Sequence, residues 1–195
     1  MLAVRVALVA VLAAVLLAAC GGDDAPRTVA NVTVTASPAA DELHAAAIMP
    51  TLDDIGFKLV SQGKPPASTN FQDVALAQYE KRDAPAMNAR VEISVLPDVA
   101  TATKQFGILS DALRNPPPGL FGGPDTVQKD APRSGPGDEG RSYVTDKPDG
   151  QGNLVYSDSY RFGRTFAIVY LVSGDEAQAL TARKAIAEHI EANTK

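Results

Sequence analysis

The chain has one cysteine, Cys20, no tryptophan and only two histidines in 195 residues. One thiol can form neither an intrachain disulfide nor a multi-thiolate metal site, so any folded domain must be held by its apolar core. The histidines, His44 and His189, are too few for a familiar zinc constellation. They lie on amphipathic segments among charged neighbours, where a solvated histidine is the usual outcome; the alternative is a two-His, carboxylate-assisted site. Basic residues are outnumbered, 18 Lys and Arg against 23 Asp and Glu, which argues against a nucleic-acid-binding surface. Familiar catalytic signatures are missing as well: G-x-S-x-G, a Walker loop and H-E-x-x-H do not occur. The acidic pairs Asp53-Asp54 and Asp138-Glu139 do not by themselves make a general acid and base. Asp53 and Asp54 diverge on a helix, and Asp138-Glu139 reads as a turn. The expectation is a protein that is not an enzyme and carries no cofactor or metal.

A long apolar run is also lacking. Val6 to Ala19 is unbroken but falls short of the roughly 20 residues of a spanning helix. It follows a minimal positive start, Met1 to Arg5, and ends in Leu17-Ala18-Ala19-Cys20. Those residues resemble the signal of a bacterial lipoprotein. The resemblance implies cleavage before Cys20, lipidation of its sulfur, and a chain held on the extracytoplasmic side of the cell membrane without spanning it. An ordinary secretory signal with an incidental cysteine is the alternative. Residues 1–19 are then the signal peptide. Residues 20–40, small and polar, are the lipidated cysteine and a flexible tether, and residues 41–195 are long enough for one core and one domain.

From Asp41 the apolar residues Leu43, Ala47, Ile48, Leu52 and Ile55 take helical spacing. Pro50 interrupts it, which predicts a kink or two short helices ending at Gly56. Strands are predicted over Phe57–Ser61, Val74–Lys81 and Arg90–Leu96. In the third, Val91, Ile93 and Val95 alternate with Glu92 and Ser94, as in a sheet with one buried and one wet face. Asp98 stands at the N-cap of a helix whose stripe is Val99, Ala102, Phe106, Leu109 and Leu113. A second set repeats the order, with strands over Arg141–Thr145, Asn153–Phe162 and Thr165–Val172 and a helix over Asp175–Ala192. The last strand is apolar almost throughout and should be central. Ser173 and Glu176 have capping-box spacing. The fold class is α+β: an antiparallel sheet with helices packed mainly on one face, its two strand-strand-strand-helix units reflecting either duplication or coincidence of order.

Between the units, residues 115–140 include 12 prolines and glycines among 26 residues, so no regular element can run through all of them. Leu120 and Phe121 stand out there as large apolar residues. They either cap a cleft or touch a partner, or they fold back as a plug on their own domain. On the strand 153–162, Tyr156, Asp158, Tyr160 and Phe162 share one face by period two. That face either lines a ligand cleft or packs beneath a helix.

The order of elements, the segment Gly137-Asp138-Glu139-Gly140 before a strand, and the run from Arg161 to Val172 before a capped C-terminal helix resemble bacterial surface lipoproteins. They also resemble the extracellular sensor domains of actinobacterial receptor-like serine/threonine kinases. The second resemblance implies a domain that binds a ligand in a cleft, although those domains usually carry disulfides and this chain has none to offer. The expected function is therefore a membrane-anchored, non-enzymatic envelope lipoprotein binding a small ligand or envelope component. Candidate contacts are Leu120, Phe121, Tyr156, Asp158 and Tyr160. The alternative is a structural or adaptor lipoprotein that acts through protein contacts.

Overall fold

A computed structural model describes residues 43–65, 71–117, 119–121 and 125–195. The expected signal peptide (1–19), Cys20 and the expected tether lie outside the described residues. The compact unit runs from Leu43 to Lys195. Its elements, in chain order, are α1 (Ala45–Ile48), a 3-10 turn (Asp53–Ile55), β1 (Lys58–Gly63), β2 (Asp73–Lys81), β3 (Met87–Val95) and α2 (Val99–Arg114), then β4 (Gln128–Asp130), β5 (Glu139–Thr145), β6 (Leu154–Phe162), β7 (Thr165–Ser173) and α3 (Glu176–Asn193).

The strands form one antiparallel sheet in the order β1-β2-β3-β7-β6-β5-β4. The α+β class and the antiparallel sheet are as expected. β7 is the central strand, and only Val172 along it is less than fully buried. The interrupted first helix resolves into α1 and the 3-10 turn, which ends at Gly56 with φ of 84°, a left-handed conformation that glycine adopts without a Cβ clash.

One sheet face carries Ala75, Ala77 and Tyr79 of β2, Val91 and Ile93 of β3, Val169 and Leu171 of β7, and Tyr156 and Tyr160 of β6. These pack with Ile48 of α1 and Ile186 and Ile190 of α3 into one core. The opposite face receives α2: Phe106 meets Phe166 edge-on at 6.2 Å, and the Ser110 and Ser159 hydroxyls are 2.8 Å apart. Helices therefore lie mainly on one face, as expected. α1 and α3 share a face, and α2 covers the other.

This arrangement bears on the repeat. A twofold axis exchanging the antiparallel neighbours β3 and β7 would run normal to the sheet and place α2 and α3 on the same face. They lie on opposite faces, both over the β6–β7 half, so the two units share an order of elements without that symmetry.

Three local expectations are corrected. β3 is not wet on one side, because Glu92 and Ser94 are buried. A short strand, β4, forms inside the Pro/Gly-rich segment and pairs with β5. The N-cap of α3 is Asp175, whose carboxylate accepts from the Gln178 N–H at 3.0 Å. Ser173 instead closes a small turn, its hydroxyl accepting from Asp175 N–H at 3.1 Å. An aspartate one residue before the helix supplies a charged acceptor and displaces the weaker hydroxyl.

Candidate functional site

Tyr156, Asp158 and Tyr160 point to one face, as their spacing predicts, but that face is sealed by α3. Asp158 has no exposed surface. Its carboxylate accepts from Arg183 Nε at 2.7 Å and Nη2 at 2.5 Å and from Ser134 Oγ at 3.2 Å. Ser134 also bonds the Tyr160 hydroxyl, and the Arg183 guanidinium lies 4.9 Å from the Tyr156 ring centroid. Burial opposes the charge on Arg183, but the hydrogen bonds and field of Asp158 outweigh it and raise the pKa. Burial likewise raises Tyr160. The buried polar atoms of this cluster have partners, which leaves nothing there for a ligand to satisfy. It is a structural ion pair under a helix.

Leu120 and Phe121 do not meet these residues. They fold back onto the other face, where Leu120 is buried and the half-buried Phe121 ring lies 5.5 Å from that of Tyr170, tilted by 39°. The plug alternative is thus the observed one, and what it plugs is unusual. In register across the sheet, Ser61, Gln78, Arg90, Tyr170, Ser157, Tyr143 and Asp130 form one transverse row through all seven strands. Strand alternation puts their side chains on the α2 face.

Within and beside this row, buried polar atoms lack partners: Tyr170 OH, Ser157 Oγ, Arg90 Nε and both amide atoms of Gln128. Gln128 stands opposite Thr145, two residues along β5 from Tyr143. Each such atom costs about 1–3 kcal/mol of desolvation with no hydrogen bond to offset it. Native proteins contain few, and several on one patch of sheet call for a reason. The charges there are loosely matched: Arg90 Nη2 is 3.5 Å from Glu92 Oε2, and the guanidinium is 6.0 Å from the Tyr170 centroid. Burial raises the pKa of Glu92 despite Arg90 beside it. Burial and the neighbouring Glu92 raise that of Tyr170. Nothing in the local pattern selects Arg90, Glu92 or Tyr170, because charge on alternate positions of β3 reads as a solvated face. Phe121, on the segment after α2, packs against Tyr170.

Other candidates are otherwise employed. A cavity of about 280 Å³ opens beside β1 between Met49, Leu52, Phe57, Leu59 and Tyr79. The hydroxyl of Tyr79 already donates to the Pro50 carbonyl at 2.7 Å, and burial pushes its pKa up to about 12. His44 lies 3.7 Å from Asp73, and His189 lies 3.1 Å from Asp54. Among the described residues no cluster of three or more His, Cys, Asp or Glu side chains could hold a metal ion. Asp53 pairs with Lys58 at 2.6 Å. Asp138 and Glu139 both grip Arg161, at 2.9 and 2.7 Å, and Asp138 also accepts from the Gly163 N–H at 2.7 Å. The Gly137–Gly140 segment is therefore a clamp on the β6–β7 hairpin. Gly137 has φ of 117°, and a Cβ there would stand 3.0 Å from the Arg161 carbonyl.

Among the described residues, no helix is long and apolar enough to cross a membrane. No family model matches the chain, and no curated protein matches it in sequence. Among solved structures it is similar to the extracellular domain of PknH from Mycobacterium tuberculosis, with a TM-score of 0.56 and 9% identity, over 77% of this chain and 95% of that one. At 9% identity the likeness is one of fold alone.

Proposed function

We propose that this protein is a lipid-anchored, non-enzymatic domain on the extracytoplasmic side of the cell membrane that binds a small ligand on the α2 face of its sheet. Its location rests on two independent supports: the Leu17–Cys20 box and a fold shared with a domain described as extracellular. The binding reading rests on one observation, the unpartnered buried atoms on the neighbouring residues Arg90, Tyr170 and Ser157, with Phe121 packed on Tyr170. A ligand supplying hydrogen bonds to those atoms would recover free energy that the unliganded fold forgoes. Phe121 occupies the position over Tyr170 and yields it when the ligand binds.

Native mass spectrometry of the full protein, extracted from its host's envelope, tests this. The expected result is a reproducible non-covalent adduct that is absent from the Tyr170→Phe and Arg90→Met variants. An identical spectrum from all three proteins would remove the binding site.

The adaptor reading draws on a different feature. Leu59 and Val60 are exposed on β1, an edge strand with a free row of backbone groups. Crosslinking in cells through Val60 that captured a defined envelope protein would favour it. No crosslink above background would count against it.

A further inference from the structure

Resting on the binding reading above, the chemistry of the site narrows what it takes. We infer that the ligand joins a flat apolar body to a single carboxylate, the body replacing the Phe121 ring against Tyr170 and the carboxylate pairing with Arg90.

Three observations point to this combination. First, the position over Tyr170 already holds a flat ring, Phe121 at 5.5 Å, carried on a segment whose other apolar residue, Leu120, is buried beside it. Phe121 itself is only half-buried, so an aromatic group from outside can compete for that contact at modest cost. Second, Arg90 is largely buried and underused. A guanidinium offers five donors in a planar fork, yet its nearest carboxylate is at 3.5 Å and its Nε has no partner. Nε and one Nη together form the edge that takes a carboxylate through two parallel bonds. Third, the donors next to Arg90 are neutral: the hydroxyls of Tyr170 and Ser157. They suit additional oxygens on a ligand but add no charge. In the transverse row Arg90 is the one cation, and Glu92 beside it at 3.5 Å already offsets part of its charge, so at most one negative charge can be matched there, which favours a monoanion over a phosphate dianion. A cationic ligand would be repelled by Arg90. A wholly apolar one would leave Arg90 and Tyr170 as unsatisfied as they are now.

Benzoate is the simplest molecule with both parts, and benzyl alcohol keeps the ring while lacking the charge. Titration of the full protein with each, followed by calorimetry or by the amide resonances of β3 and β7, gives the test. Phe121→Ala should bind benzoate at least about tenfold more tightly than wild type, because the competing ring is gone. Adding Arg90→Met to Phe121→Ala should weaken benzoate at least about tenfold and leave benzyl alcohol unchanged. Arg90→Lys, which keeps the charge and loses the fork, should fall between them; it also guards against a Met variant that does not fold. Benzyl alcohol binding Phe121→Ala as tightly as benzoate does, or benzoate binding that ignores Arg90, would overturn the carboxylate assignment.

The two levels of the claim separate cleanly. An adduct from host-purified protein that proves neutral or cationic would leave the binding site standing and refute the ligand class. Absence of any adduct, together with no benzoate binding to Phe121→Ala, would refute both.

Discussion

Arg183 and Tyr170 show how differently two buried polar side chains can be placed. Arg183 finds a bidentate carboxylate, so truncating either partner leaves an uncompensated charge in the core. Arg183→Met and Asp158→Asn should each lower stability by about 3–5 kcal/mol in urea unfolding. Tyr170 finds no partner for its hydroxyl. Tyr170→Phe removes a buried group that gains nothing from the fold and should raise stability by about 1 kcal/mol, contrary to the usual sign of a core substitution. A loss of stability in that variant would mean that the hydroxyl is bonded in solution. Glu92 gives a prediction in pH. Burial raises its pKa above the ordinary 4.5, so the folded protein holds that proton more tightly than the unfolded chain does. Its penalty is absent below pH 4.5, grows as the pH rises from there, and is complete once the pH passes the folded value. Asp73, held low chiefly by its bond to Lys64, works in the opposite sense and loses its contribution as the pH falls. The comparison is therefore made between proteins: Glu92→Gln should lose less stability than wild type as the pH is raised from 4 to 8. Parallel curves would contradict the assignment.

At the scale of elements, the sequence was most legible where one local rule decided the outcome. Asp98 before the stripe Ala102, Phe106, Leu109 and Leu113 predicts α2, and the Asp98 carboxylate does accept from the Thr101 N–H at 2.7 Å. Asp98→Ala and Asp175→Ala should each destabilise the fold more than Ser173→Ala, a ranking thermal unfolding can read. Strands β2, β3, β5, β6 and β7 lie within a few residues of their expected places, β3 by its period-two alternation and β7 by its nearly unbroken apolar run. What eluded reading depends on contacts remote in sequence. β4 is three residues long and exists only because β5 offers an edge. The face covered by α2 depends on the direction in which the chain leaves β3. The same distinction governs the candidate site. The shared face of Tyr156, Asp158 and Tyr160 was correct, but their partner Arg183 is 25 residues from Asp158. Leu120 and Phe121 stood out by composition, whereas Tyr170, Arg90 and Glu92 were hidden within strands whose covering could not be read from local pattern.

For the whole molecule, the sheet separates two environments. One face is the main apolar core beneath α1 and α3, where Asp158 and Arg183 pair and the Ser142 and Thr165 hydroxyls stand without partners. The other, under α2 and the segment after it, keeps unmet hydrogen-bonding capacity within a fold shared with the extracellular domain of PknH. The proposed anchor requires Cys20→Ser to move the protein from the membrane fraction to the soluble fraction and to remove the mass of the lipid, which fractionation and intact-mass measurement would show. Retention of the variant in the membrane would assign the anchorage elsewhere. The claim that the second face is a binding site is tested most directly by native mass spectrometry of the full protein from its own envelope, with wild type and Arg90→Met side by side. The account predicts an adduct on wild type whose occupancy falls sharply in the variant while the protein stays folded. Equal occupancy in both, or a bare protein mass from wild type, would contradict it.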